Sequence, residues 1–180
     1  MPSPKVLIAY GLAGLAFVAA SLVGYAQFVF AKHRQEIDGA LAATAPINRN
    51  PPDAVRAMLG GGALASTADD VGAHFLMRSY PTALEAPTVQ ALDRFLWSRL
   101  VRYYYSESEI VGLYCAVSSL NNGATGLDAA ARSLWGEPAD ALDRDRLAYV
   151  LAALRSPSLA GDPDALRPIA DRLLESARAR

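Results

Sequence analysis

The chain has 180 residues, 52% of them hydrophobic and 8% aromatic, with a formal net charge of -1. This balance argues against nucleic acid as a partner, because such binding rests on clustered positive charge that releases counterions. Cys115 is the sole cysteine, which excludes an internal disulfide and a thiolate metal cluster.

Ala and Leu are abundant and both favour helices, so the fold class is read as all-α. Residues 6–31 carry no charge and exceed the roughly 20 residues that cross a bilayer as a helix. Residues 1–31 are therefore read as an N-terminal transmembrane helix. A cleaved signal peptide is the competing reading, but the run is too long for an h-region and no small-x-small cleavage site follows. Lys5 and Lys32, the only lysines, flank the segment as edge anchors, while the charges on either side leave its orientation open. Ala16, Ala20 and Gly24 share one helical face, a small-residue spacing that admits a second helix, although an Ala-rich segment also produces it by chance.

Residues 32–53 are read as a juxtamembrane helix ending near Ala43 and a connector, INRNPPD, whose Pro and Asn residues break regular structure. A domain spanning 54–180 follows. Gly60, Gly61 and Gly62 suggest a phosphate loop only superficially, since Ala63, Leu64 and Ala65 stand where Gly-Lys-Ser/Thr is needed. A flexible loop is expected there. Asp69 or Asp70 can cap a short helix that presents Val71 and Phe75 and stops before Pro81. Pro87 and Thr88 open a longer helix to about Tyr105, on which Arg94, Arg99 and Arg102 read as a solvated edge.

Ser106 and Glu109 are spaced as a capping box, and Ile110, Val111, Leu113, Tyr114 and Val117 make the helix that follows apolar on nearly every side. Asn121, Asn122 and Gly123 turn the chain into a helix over residues 127–135 that Gly136 stops. Asp143 caps the next helix, which ends before Pro157, and Asp162 with Pro163 opens the last, where Pro168 is expected to kink it. Cys115 is expected to be buried, since neither His33 nor His74 is placed to serve it as a base or to form a metal site with it. No cofactor is expected.

Three blocks resemble a known family. YSESEIVGLYCA at Tyr105 to Ala116, NNGATGLDAAARSLWGE at Asn121 to Glu137, and LDRDRLAYVLAALRSPS at Leu142 to Ser158 are similar, in one register, to YSKEEILELYLN, GNGAYGIEAAARTYFGK and LTLAEAALLAGLPKAPS. These are segments of the peptidoglycan glycosyltransferase (transglycosylase, family 51) domain of penicillin-binding proteins. The matched positions include Tyr105, Ile110, Tyr114, Asn122, Gly123, Gly126, Ala131, Arg132 and Gly136. AVRAMLGGG from Ala54 is similar to the family's Arg-Ala-Leu helix and glycine loop.

The resemblance implies a lysozyme-like helical domain, here truncated, held outside the cytoplasmic membrane by its N-terminal helix and acting on lipid-linked disaccharide. That chemistry needs a carboxylate to take a hydroxyl proton and cationic groups to stabilise the departing diphosphate. The Glu-Asp-x-x-Phe-x-x-His motif that carries the base is absent from this sequence. The Gly-x-Ser-Thr-Ile-x-Gln-Gln motif falls on Thr67 to His74, with Ala73 and His74 in place of the glutamines. The second catalytic glutamate falls on or beside Arg94, its basic pair on Gln90 and Ala91, the motif-ending Asn on Ala116 and the late Arg on Ile169. Of the remaining acids, Glu36 and Asp38 read as membrane-edge groups, Glu107 and Glu109 as first-turn helix acids, and Glu85 as a loop residue.

The expected function is therefore a catalytically inactive, transglycosylase-like scaffold or accessory subunit without catalytic residues. Its expected partner is another membrane protein or complex, with peptidoglycan or lipid-linked glycan as a further ligand. The expected location is the bacterial inner membrane, single-pass, with the domain in the periplasm. An active peptidoglycan glycosyltransferase and a glycan-binding module are the alternatives.

Overall fold

The computed structural model describes residues 4–79 and 87–178, and the side chains within them other than 4–9, 19, 22, 26, 27, 29, 79, 87–90 and 92. Among these residues the protein is all-helical, and pairing outside helices is limited to an isolated bridge between Ser119 and Thr125. Two compact units divide between Glu36 and Ile37.

The first unit is α1 (Pro4–Gly24), continued by a π-helical turn (Tyr25–Phe30) into the start of α2 (Ala31–Ala43). Leu12, Leu15, Phe17 and Phe28 are among its exposed apolar side chains, while Phe30 is buried. Ala16 and Ala20 are exposed too, and nothing lies within 4 Å of the position a Cβ on Gly24 would take. Among the described residues no helix is long and apolar enough to cross a membrane. Several side chains of residues 6–31 lie outside that set.

The second unit packs α5 (Leu64–Ser79) against α6 (Pro87–Tyr104) and α7 (Glu107–Val117), with α10 (Pro163–Arg178) across α4 (Asp53–Leu59) and α9 (Arg144–Arg155). The helix α8 (Leu127–Trp135) lies on α9, and the one-turn α3 (Pro46–Arg49) is wedged against α7 and α8. Helices apolar on most sides belong inside, and α7 and α9 meet that description: Ile110 to Cys115 and Val150 to Leu154 are buried. The ends follow the capping chemistry. Ser106 Oγ accepts from the Glu109 N–H while Glu109 Oε2 accepts from the Ser106 N–H at 2.7 Å. Asp143 and Asp162 accept from Arg146 and Ala165, and Gly136 adopts φ 75°.

Four local expectations are corrected. Asp69 and Asp70 lie inside α5 and do not cap it, because the helix begins five residues earlier, at Leu64. The cause is the Gly61–Ala63 segment, which is a 3-10 turn and not a flexible loop: Ser66 and Thr67 hydroxyls donate to the Ala63 carbonyl, and the Gly61 N–H donates to Glu107 Oε1 at 3.0 Å. Residues 46–49 of the expected connector are helical, since Pro46 is pre-set for a first helical position and the Arg49 guanidinium donates to the carbonyls of Leu41 and Ala42. Asp38, read as a membrane-edge group, accepts from the Tyr105 hydroxyl at 2.8 Å within the second unit. Pro81 and Glu85 lie outside the described residues. Pro168 sits within α10, which continues past it to Arg178.

Candidate functional site

The polar chemistry of the second unit concentrates where α5, α7 and α9 meet. A cavity of about 220 Å³ is lined there by Asp70, Val71, Ala73, His74, Met77, Tyr114, Val117, Ser118, Ser119, Leu154 and Arg155. One helical period places Asp70, Ala73, His74 and Met77 on a single face of α5. The end of α7 contributes Tyr114 and the segment that breaks the helix after Val117. Arg155, the last residue of α9, closes the far side.

Arg155 is held from three directions. Its Nε lies 3.8 Å from Asp70 Oδ2, and its Nη2 donates to Ser66 Oγ at 3.0 Å and Thr67 Oγ1 at 3.4 Å. Both the Arg155 Nε and the Tyr114 hydroxyl are buried: Asp70 faces the first as an ion pair, and the Ser118 hydroxyl stands beside the second. Buried donors without a well-formed hydrogen bond are uncommon in folded proteins, and the Arg155 Nε is one on the wall of this cavity. Burial pushes the Asp70 carboxyl above its ordinary range, opposed by Arg155, reinforced by Asp69 and opposed again by Arg94. Burial likewise raises the Tyr114 phenol, which stays a neutral donor at physiological pH. The Cys115 thiol is raised by complete burial and so is not a nucleophile. Among the described residues no cluster of His, Cys, Asp and Glu is arranged to hold a metal ion.

Two expectations follow. Because Asp70 holds its proton more tightly folded than unfolded, its contribution to stability declines as pH rises from the ordinary carboxylate range through the raised pKa. Asp70→Asn should flatten that limb of a stability-pH curve from urea denaturation; an unchanged slope would refute the assignment. Tyr114→Phe removes a buried hydroxyl that faces the Ser118 hydroxyl, so stability should fall by no more than about 1.5 kcal/mol, the net worth of one such bond, as read by urea denaturation.

The residues singled out by sequence divide sharply. Ala73, His74 and Tyr114 meet at the cavity, and Ala116 follows on the same helix. Arg94 is close enough to lower the Asp70 carboxyl pKa, whereas Ile169 lines a different cavity. Apart from Tyr114, the matched motif residues are spent on the fold. Asn122 donates to Ser133 Oγ and accepts from the Ala124 N–H, Gly123 and Gly126 adopt φ 88° and 92°, and Arg132 donates to Asp128. Ile110 and Ala131 are core residues. Although burial raises Asp128, the Ala139 N–H and Arg132 hold its carboxyl below the ordinary range. Asp70 and Arg155 were missed as a pair, because a contact between α5 and α9 leaves no periodic trace in sequence. Comparison of the chain with protein-family models, with curated proteins and with solved structures finds no match.

Proposed function

We propose that the chain is a membrane-anchored, catalytically inactive relative of the transglycosylase domain that serves as scaffold or accessory subunit of a membrane assembly. The observation that carries this reading is the division of labour among the motif residues. Those that match the family, Tyr114 at the cavity apart, cap helices, set turns or fill the core, while the positions where the family keeps glutamines, a carboxylate and its late arginine hold Ala73, His74, Arg94 and Ile169. The exposed apolar side chains of α1 support anchoring in a bilayer of the bacterial inner membrane, with the second unit in the periplasm. The purified full chain should form no glycan strands from lipid-linked disaccharide. Polymer formation that Asp70→Asn or Glu36→Gln abolishes would overturn the proposal. Native mass spectrometry from mild detergent should retain a stoichiometric membrane partner; a lone monomer would count against it.

A second reading rests on the Tyr114 hydroxyl and the Arg155 guanidinium on one cavity, donors that suit the acceptor oxygens of a sugar. In that reading the protein is a glycan-binding module, and Tyr114→Phe would lose retention on purified peptidoglycan while keeping its stability.

A further inference from the structure

A second cavity lies on the opposite flank of Arg155. It measures about 270 Å³ and is lined by Ala63, Arg155, Ser156, Ile169, Arg172, Leu173 and Ser176, so two guanidinium groups face it and no acidic side chain does. The charges are unequal in their commitments. Arg155 is anchored by Ser66 and Thr67, and its carboxylate partner Asp70 lines the other cavity. Arg172 has no carboxylate within 4 Å among the described residues; its Nε donates to the Pro168 carbonyl at 3.1 Å, which steers the side chain along α10 and leaves the two terminal nitrogens uncommitted. Asp70 meets the charge of Arg155 from the other cavity, whereas the charge of Arg172 is left uncompensated, and an anion seated between the two arginines would supply the missing counter-charge. The guanidinium fork suits the paired oxygens of a phosphate or carboxylate, with Ser156 on the wall as a further hydroxyl donor. The volume sits just under the roughly 300–1,000 Å³ of sites for drug-sized ligands, which restricts the guest to a compact one.

We propose that this cleft, between the Gly61–Ala63 turn, the end of α9 and α10, binds a compact phosphate-bearing anion. The site shares Arg155 with the α5/α7/α9 cavity, and its other lining residues are its own.

The test is a ³¹P NMR titration of the full chain in non-ionic detergent with inorganic phosphate, ionic strength being held constant with chloride. Wild type should show saturable binding. Arg172→Gln, at an exposed position that leaves the core untouched, should weaken it about tenfold, whereas Arg102→Gln on α6 should leave it unchanged. Circular dichroism confirms that both variants are folded. Absence of saturable binding in wild type, or an equal loss in both variants, overturns the proposal. A parallel titration with dihexanoyl phosphatidylglycerol below its micellar concentration separates the sources of the phosphate: tighter binding than inorganic phosphate identifies a lipid headgroup, and equal or weaker binding identifies a free phosphate compound.

Discussion

Gly126→Ala is expected to destabilise the second unit by about 3 kcal/mol or more, through two effects that act on the same atom. The residue sits at φ 92° and ψ 159°, a region that side chains other than hydrogen essentially do not enter, and forcing one there costs about 1–3 kcal/mol. The added Cβ would also lie 2.6 Å from Asn48 Nδ2 and 3.3 Å from the Cys115 carbonyl, and overpacking of that kind costs a further 1–3 kcal/mol or so. Asn48 cannot retreat freely, because its Oδ1 accepts from the Asp128 N–H at 3.2 Å. Urea denaturation followed by circular dichroism measures the loss, and a value under about 1 kcal/mol would contradict this account. Pairing the change with Asn48→Ala separates the two effects: the steric part should shrink, giving non-additive losses, while the backbone part should remain.

Trp97→Ala should cost about 3–5 kcal/mol, a large share of the roughly 5–15 kcal/mol that holds a domain folded. Trp97 heads the fully buried side chains of the described residues by volume, and its backbone lies against Gly72 of α5. A Cβ on Gly72 of α5 would meet the Ser98 nitrogen at 3.1 Å and the Trp97 carbonyl carbon at 3.3 Å, so the helix backbones touch at the glycine and cannot close further around a void. The neighbouring Ser98 hydroxyl donates to Asp69, fixing the same crossing with a polar contact. The cavity left by the indole would therefore persist. Loss of the cooperative transition in urea, or a midpoint shift equivalent to this range, is the expected reading; a shift under about 1.5 kcal/mol would show that α5 and α6 collapse onto the space.

What could be read ahead of the structure was the local chemistry. The Ser106 capping box, the glycine stop at Gly136 and the N-caps at Asp143 and Asp162 lie where residue type alone places them, since each depends on partners within one helical turn. The start of α5 was misplaced because two carboxylates in a row suggest a cap, whereas the Gly61–Ala63 turn, tied to Glu107 forty-six residues away, begins the helix earlier. The Asp70–Arg155 pair and the Gly72–Trp97 crossing are long-range as well. Neither carries a spacing that a linear reading can detect. The matched motif residues were legible as a set, but their bonding to one another was not.

One contact bears on how the protein can be handled. Asn48 lies upstream of the helices it clasps, as do Asp38 and Arg49, and all three belong to the unit that begins at Ile37. A fragment begun at Ala54, where the resemblance to the family begins, would lack the residue that shields Gly126 and the acceptor for Tyr105. It would present an open seam between α7 and α8 and would be prone to aggregate. Work on the isolated unit has to retain the stretch from Ile37 to Asp53, which acts as the last wedge of the fold.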